Sequence, residues 1–520
     1  MIEVVAFGVV AVAVVVVGEL IAESTGIPAA VLLVLAGLVY GLLPGPNVRL
    51  DPEVVLLLVL PPLLYWAALN AGLLEIRANL RPVGSLAVAL VLVTAVAVGA
   101  GLAAVVPGVP FAAAVALGAA VAPPDPVAAL AIGRRAGLPP RLLTLIEGEG
   151  LLNDATAITT FEVAVAVAAG GSFSLGGAAG RFLYSAAVGT AVGWGIAWVS
   201  RQIRRHLHDP LAENALSLAT PFLAYLPAEE LHASGLLAVV VTGLWVGHEA
   251  PRLLSGASRL QTRAVWRLVN FLLEGVVFLL IGNQLPTVIE GLNIYPIGTI
   301  LSATGVSVAL VLLVRPAWLW LTSHLPGRLL GERVAISLSG RELVAMSWAG
   351  TRGVISLAAA FALPLDAAGN YRALLIFCAY AVVLVTLVGQ GLTFAPLLRA
   401  LHLQAGRGDE LRARAEARSA AVSAGLRRLE DLAAEQPVPS EVLERLRALA
   451  EGRRQRSELD AAGENGDDAS PVALVASLRR QMIEAEREEL LRWRDAGRLP
   501  ETGLRALEHE LDYEERFLAL

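Results

Sequence analysis

The chain has 520 residues, of which 56% are hydrophobic and 17% are charged, whereas soluble proteins average about 45–50% apolar and about 25% charged residues. This composition excludes an ordinary soluble enzyme. The net charge of -6 lies in residues 401-520, which contain 19 Arg and 25 acidic residues. The single cysteine, Cys378, excludes a disulfide framework. No two histidines have HxxH or HExxH spacing, so catalytic zinc is not expected. No other cofactor is expected either.

Apolar stretches of about twenty residues, the length that spans a bilayer, recur from Val4 to Leu398. They predict an all-α polytopic membrane protein with about thirteen transmembrane helices. In chain order these predicted spans are 3-20, 27-43, 53-71, 83-106, 110-136, 141-168, 178-200, 210-227, 234-247, 265-287, 295-320, 341-364 and 372-398.

The Arg residues of the loops predict the orientation in the membrane. One set of alternate loops contains thirteen Arg, including Arg328 and Arg333, and the other contains only Arg49, Arg181 and Arg372. Because cytoplasmic loops are rich in Arg, the first set is expected to face the cytoplasm. An odd number of spans then places the N-terminus outside and the C-terminal tail in the cytoplasm of a cell-membrane protein.

The composition changes near residue 400. Residues 1-400 are predicted to form the transmembrane domain, and residues 401-520 a charged helical tail. Helices are expected in the tail at about 409-434, 440-455 and 472-495. The polar segment 457-471 has the Gly, Asn and Asp content of a flexible linker.

Span five contains residues that interrupt a helix. Pro123, Pro124 and Pro126 surround Asp125 in the string APPDPVAA. Proline removes a backbone donor and clashes with the preceding turn. We therefore expect two half-helices with a carboxylate at the break.

Span twelve is interrupted by Gly350, Thr351, Arg352 and Gly353. One broken span in each half of a chain is typical of inverted-repeat transporters, which bind their substrate near the bilayer midplane. We therefore expect an inverted repeat in which the broken helices of spans five and twelve cross.

Span six contains the polar residues Glu149, Asn153 and Asp154 within an apolar run. A charge at mid-bilayer costs about 2.5–3.5 kcal/mol, so such residues are candidates for function. Glu149 is predicted to form a buried ion pair with Arg352, the Arg that we place at a helix break. Arg315, beside Pro316, is instead predicted to reach the membrane surface.

This arrangement leaves Asp154 without a fixed cation. With Asn153 beside it and Asp125 across the broken helix, Asp154 is neutral when it holds a proton and needs a monovalent cation when it does not. A proton and a metal cation therefore compete for one charge. This competition is the chemistry of cation/proton antiport.

Three strings on separate spans carry a resemblance to a known family: APPDPVAA (122-129), EGEGLLNDATAI (147-158) and WAGTRGVISLAAAFALP (348-364). They resemble the bacterial sodium/proton exchangers of the monovalent cation:proton antiporter-1 family. LLPGP (42-46), LPPLLYWAAL (60-69), EGVVFLLIGNQL (274-285) and the tail segment 479-515 fit the same family.

The resemblance implies that Asp154 binds the cation and the proton, with Asn153 beside it, Asp125 on the unwound helix, and Glu149 and Arg352 as an ion pair. It also implies a homodimer, Na⁺ and H⁺ as substrates, and electroneutral exchange. The family often has Thr or Ser where this chain has Pro124, and usually Ser where it has Gly150. These replacements remove side-chain oxygens and leave K⁺ or Li⁺ as alternative cations.

Two other classes of function remain as alternatives. A passive cation channel or an ion sensor would need a continuous polar stripe along several spans, whereas the sequence has isolated carboxylates. An intramembrane hydrolase using Asp125 and Asp154 would lack both a GxSxG and an HExxH motif. Membrane lipid is the expected surrounding partner, and no nucleic acid is expected.

Overall fold

A computed structural model describes residues 2–25, 27–43, 54–207, 209–324, 338–403, 407–461 and 471–495, together with residues 504, 507 and 511. Within these ranges the chain is helical, with short connecting turns and no strand. It divides into two compact units, Met1–Gln404 and Ala405–Leu520.

The helices of the first unit follow one another closely along the chain. In order they are Ile2–Thr25, Ala29–Leu42, Val55–Asn70, Leu73–Ala78, Leu80–Val105, Phe111–Val121, Pro126–Ala136, Pro140–Ala168, Leu175–Arg204, Pro210–Glu230, Gly235–Leu253, Gly256–Glu290, Ile297–His324, Gly340–Trp348, Val354–Phe361 and Leu365–Leu401.

Length and apolar composition qualify seven helices of the described residues as membrane spans, and three shorter helices are also apolar. The fold is therefore that of a multi-pass, all-helical membrane protein, as predicted. The count of thirteen spans and the inverted repeat stay predictions. Pro210–Glu230, the span with the weakest hydropathy signal, is helical but is not one of the seven.

One helix is much longer than its predicted span. Gly256–Glu290 begins nine residues before residue 265, because its first turns carry polar residues that the hydropathy pattern does not count as membrane. Ser255 caps it by accepting a hydrogen bond from the backbone N–H of Ser258, 3.1 Å away. Asp209 and Ser234 cap the starts of two other helices in the same way.

Small residues allow the helices of the first unit to pack closely. A Cβ atom at Gly37 would lie 2.9 Å from the backbone nitrogen of Asn283, and one at Gly282 would lie 2.8 Å from that of Leu38. The helices Ala29–Leu42 and Gly256–Glu290 therefore approach backbone to backbone, as membrane helices with small interfacial residues do. Asn283 is buried at this contact.

The half-helices Phe111–Val121 and Val354–Phe361 lie within one buried apolar cluster, together with residues of Arg372–Val385. Their apolar residues are almost completely buried. The polar residues at the two helix ends are therefore surrounded mainly by apolar side chains. This packing positions the candidate site.

The second unit contains the helices Arg407–Glu435, Ser440–Ala461 and Pro471–Asp495. The middle helix continues to Ala461, into the segment predicted as a linker, and residues 462–470 lie outside the described residues. Arg49, Arg328 and Arg333, which contribute to the predicted orientation, also lie outside them.

Candidate functional site

The first break lies where prolines interrupt the helix. The helix Phe111–Val121 ends before Pro123 and Pro124, and the next helix begins at Pro126. Asp125 is the N-cap of that second helix, and its carboxylate accepts a hydrogen bond of 3.0 Å from the backbone N–H two residues on. An anionic cap is favoured at the positive end of a helix dipole. Asp125 is therefore fixed by its own half-helix.

The second break separates the helices Gly340–Trp348 and Val354–Phe361, with residues 349–353 outside regular helix. The two breaks are joined by a reciprocal pair of hydrogen bonds. The backbone N–H of Asp125 donates to the carbonyl of Thr351 at 2.6 Å, and the Thr351 hydroxyl donates to the carbonyl of Asp125 at 2.9 Å. The predicted crossing of the broken helices is therefore present, and it satisfies backbone groups that a membrane interior cannot hydrate.

At this crossing there is room only for a glycine at position 353. A Cβ atom there would lie 2.7 Å from Cγ of Asp125 and 2.8 Å from its Cβ. Any larger residue would push the carboxylate of Asp125 away from its half-helix. The glycine therefore allows the second break to approach the carboxylate of the first.

Asn153 and Asp154 lie on the Pro140–Ala168 helix, which packs against the first break. Both side chains are buried, with exposed fractions of 0% for Asn153 and 4% for Asp154. The Asn153 amide donates a hydrogen bond of 3.0 Å to the carbonyl of Pro124, while its Oδ1 atom has no hydrogen-bond partner. Asn153 thus holds the broken segment against the helix that carries Asp154.

Asp154 has no ion-pair partner within the described part of the chain, and the charge of Asp125 acts on it. A half-buried third carboxylate, Glu274, also lies within electrostatic reach of Asp125 and accepts a hydrogen bond of 2.7 Å from Asn270. The described residues contain no group of three His, Cys, Asp or Glu side chains suited to hold a metal ion. A cation at Asp154 would therefore need carbonyl or water oxygens as further ligands.

The predicted partner of Glu149 is wrong. Glu149 pairs with Arg315 instead of Arg352: the two carboxylate oxygens accept from the two terminal guanidinium nitrogens, one of them at 2.8 Å. Both side chains are buried, with exposed fractions of 1% and 2%. The Nε–H of Arg315 also donates to the carbonyl of Met346 at 2.9 Å. Arg315 is therefore a buried bidentate partner, and the prediction that it reaches the membrane surface is also wrong.

Arg352 has a different role. Its guanidinium donates to the carbonyls of Val121 at 3.1 Å and Ala122 at 3.2 Å, and also to that of Gly350. The last carbonyls of a helix have no partner within the helix, so Arg352 supplies donors and positive charge to the end of the first half-helix. Its backbone N–H donates to the hydroxyl of Thr386 at 3.1 Å. Arg352 thus binds the two breaks together.

The absence of a hydroxyl at Gly150 has a steric cause. A Cβ atom at Gly150 would lie 2.7 Å from Cδ and 2.9 Å from Cβ of Pro126. The ring of Pro126 therefore occupies the space that a serine side chain would need. The two residues are complementary, because the missing side chain at Gly150 leaves room for the ring of Pro126.

We predict that Gly150→Ser lowers the stability of the protein by about 1–3 kcal/mol, the usual cost of overpacking. The measurement is thermal unfolding of the detergent-solubilised protein. Gly298→Ser is the matched control, because a Cβ there meets no atom within 4 Å. Equal unfolding temperatures for the two variants would contradict the steric explanation.

Arg315 is a site residue whose position the sequence predicts wrongly. A signal was present, because Arg315 lies inside the long apolar helix Ile297–His324, where a charge needs a partner. The neighbouring proline and tryptophans resemble those of an interfacial anchor. Because of this local similarity, the sequence predicts that Arg315 reaches the membrane surface, whereas it is buried. Thr386, which binds the backbone of Arg352, gives no comparable signal in the sequence.

The assembled site is a buried carboxylate beside two interrupted, crossing helices in a multi-pass membrane protein, the arrangement of a secondary transporter. The family model described as "Sodium/hydrogen exchanger, transmembrane" matches residues 9–400. The chain belongs to this sodium/hydrogen exchanger family.

Individual relatives support the same assignment. The chain is 35% identical to an uncharacterized Na⁺/H⁺ exchanger of Mycobacterium tuberculosis, over 97% of this chain and 94% of the relative. It is 34% identical to a sodium, potassium, lithium and rubidium/H⁺ antiporter of Bacillus subtilis, over 70% of this chain and 56% of the relative.

A solved structure shares the fold. The sodium proton antiporter MjNhaP1 from Methanocaldococcus jannaschii at pH 8 superposes with a TM-score of 0.60, at 21% sequence identity, over 76% of this chain and 98% of that chain. The fold of the matched part of this chain is thus one that an antiporter structure also has.

Proposed function

We propose that the chain is a secondary active antiporter that exchanges a monovalent cation for a proton, with the two ions competing for Asp154. The observation that carries this proposal is the burial of Asp154, without an ion-pair partner in the described residues, next to the crossing of two interrupted helices. Family membership supports the reaction class. The interpretations as a hydrolase, a passive channel or a sensor have no comparable support.

Asp154 can have this role because the two buried arginines near it already have other partners. Arg315 is committed to Glu149, and Arg352 is committed to backbone carbonyls at the breaks. The charge on Asp154 must then be neutralised by an ion from solution. Asp125 adds negative charge nearby, which favours a cation or a proton over no occupant at all.

The broken segments supply the remaining oxygen atoms in our proposal. Hard monovalent cations bind carboxylate, carbonyl and water oxygens. Non-helical backbone is tolerated at membrane depth where it is buried in protein or lines a water-filled cavity. Asn153 contributes by holding the first break in place and by its own Oδ1 atom, which has no hydrogen-bond partner.

Na⁺ is the cation that we propose first, because the family is one of sodium/hydrogen exchangers. K⁺ or Li⁺ is a second candidate, because the Bacillus subtilis relative is named for sodium, potassium, lithium and rubidium. Proton exchange is common to both candidates.

Further parts of the proposal concern assembly and orientation. We propose a homodimer in the cell membrane with the N-terminus outside and residues 401–520 as a cytoplasmic tail, following the distribution of Arg in the loops. We also propose that one cation is exchanged for one proton, since Asn153 rather than a second carboxylate precedes Asp154.

Proteoliposomes with a trapped pH dye test this function. After an acid-inside gradient is imposed, external Na⁺, K⁺ or Li⁺ is added at several pH values, with and without a clamped membrane potential. We expect at least one cation to collapse the gradient at a rate that the clamp does not change. No response to any cation would contradict antiport, and a rate that follows the potential would contradict electroneutral exchange.

A further inference from the structure

Thr386 connects the helix Leu365–Leu401 to the second break. Its side chain is buried, with an exposed fraction of 1%, and its hydroxyl accepts a hydrogen bond of 3.1 Å from the backbone N–H of Arg352. The same hydroxyl donates to the carbonyl of Val382 at 2.8 Å. A hydroxyl has one proton to donate, so this second bond orients the oxygen as the acceptor for Arg352. The direction of both hydrogen bonds is therefore defined.

The helix is irregular at this residue. Thr386–Gln390 form a π-helical turn, a feature that is often found at functional sites. A threonine hydroxyl that binds the carbonyl four residues earlier also tends to bend a helix. Both irregularities therefore begin at the residue that contacts the second break.

The hydrogen bond from Arg352 fixes one particular peptide group. The carbonyl of Thr351 and the N–H of Arg352 belong to the same peptide unit, which is planar and trans, so they point to opposite sides. The carbonyl accepts from the backbone N–H of Asp125 at 2.6 Å, and the N–H donates to Thr386. This peptide group is therefore held on one side by the first break and on the other by the helix Leu365–Leu401.

The orientation of this peptide group affects the proposed cation site. The Thr351 hydroxyl donates to the carbonyl of Asp125 at 2.9 Å, so the backbone of Asp125 follows the position of the second break. The charge of Asp125 acts on Asp154. Without the Thr386 hydroxyl, the N–H of Arg352 loses its buried acceptor, and other orientations of the peptide group become populated.

We propose that Thr386 is a positioning residue for cation exchange, which sets the affinity for the metal cation by fixing the Thr351–Arg352 peptide group. This inference rests on the proposed function, in which Asp154 and oxygen atoms of the broken segments bind the cation. A proton binds to the carboxylate alone, whereas a hard cation needs several oxygen ligands in place at once. Loss of the hydroxyl therefore weakens cation binding and leaves the maximal exchange rate nearly unchanged.

Thr386→Val removes the hydroxyl and keeps the shape of the side chain. Na⁺ and K⁺ are titrated separately on full-length protein in proteoliposomes with a trapped pH dye. The cation concentration that gives the half-maximal rate should rise about five- to tenfold, because one hydrogen bond no longer favours the competent orientation. The maximal rate should stay within about twofold of the wild-type rate. Thr386→Ser keeps the hydroxyl and should behave like wild type.

Thr393→Val is the matched control. Thr393 lies on the same helix, is exposed, and accepts a hydrogen bond of 2.8 Å from the indole N–H of Trp348, just before the second break. This variant also removes a hydroxyl that contacts the broken span, but it leaves the Thr351–Arg352 peptide group held. Its half-maximal cation concentration should equal that of wild type. Thermal unfolding of each variant separates weaker cation binding from loss of folding.

Hydrogen exchange measures the positioning itself, without transport. Mass spectrometry should show faster backbone exchange in residues 349–353 of Thr386→Val than in wild type or Thr386→Ser. The inference would be overturned by unchanged hydrogen exchange, by an unchanged half-maximal concentration, or by a Thr386→Ser protein that behaves like Thr386→Val. A wild-type protein that exchanges neither cation would overturn the proposed function instead, and the hydrogen exchange would still show whether Thr386 holds this peptide group.

Discussion

Asp154→Asn is expected to abolish cation-dependent proton movement in proteoliposomes, down to the rate of empty liposomes. Asn has nearly the same shape as Asp but carries no charge and releases no proton. The variant can therefore neither bind a cation in exchange for a proton nor return with a proton. Because the carboxylate has no ion-pair partner in the described residues, its removal should leave the fold intact.

The control for this prediction is Glu162→Gln. Glu162 lies on the same helix as Asp154 but is exposed, so its neutralisation should leave most of the exchange activity. Thermal unfolding of both variants separates loss of transport from loss of folding. Exchange by a well-folded Asp154→Asn protein at the wild-type rate would show that another group carries the proton.

Arg315→Met and Glu149→Gln are each expected to destabilise the protein by about 3–5 kcal/mol, the cost of leaving one charge of a buried pair without its partner. The loss should be visible as reduced monodisperse protein after solubilisation and as a lower unfolding temperature. The double variant should be more stable than the sum of the single effects predicts, because it removes both charges.

Two comparisons sharpen this test. Glu147→Gln breaks the ion pair of Glu147 with Arg134, whose side chain is 56% exposed, and should cost no more than about 1 kcal/mol. Combining Glu149→Gln with Arg352→Met should show a smaller coupling energy than combining it with Arg315→Met. Additive effects of Glu149→Gln and Arg315→Met would contradict the ion pair that the structure assigns.

The broken helices could be predicted because their cause is local. The prolines around Asp125 interrupt a helix by themselves, and the two glycines of the Gly350–Gly353 segment lower its helix propensity. The structure places the breaks where those residues lie. The hydropathy pattern likewise located the apolar part of the seven helices of the described residues that qualify as membrane spans. It did not locate the start of Gly256–Glu290, because its first turns are polar.

The ion pair could not be predicted because its cause is tertiary. Glu149 and Arg315 are 166 positions apart, and the sequence around Arg315 resembles that of a membrane-surface anchor. Arg352 instead donates to the carbonyls of Val121 and Ala122. Backbone carbonyls carry no sequence signal, so the ligands of a buried Arg follow from the fold alone.

Gly150 is a second residue whose role has a tertiary cause. From the sequence, this residue appears only as a missing hydroxyl, which leaves the preferred cation open. The structure shows that the ring of Pro126 fills the position, so the glycine and the proline form one packing unit.

Proton release upon cation binding tests the central claim most directly. Purified protein in weakly buffered detergent solution with a pH dye is titrated with Na⁺, and with K⁺ and Li⁺ in parallel. Competition at Asp154 predicts one proton released for each cation bound when the site starts protonated, and no release from Asp154→Asn. Cation binding without proton release, or unchanged release from Asp154→Asn, would contradict the account.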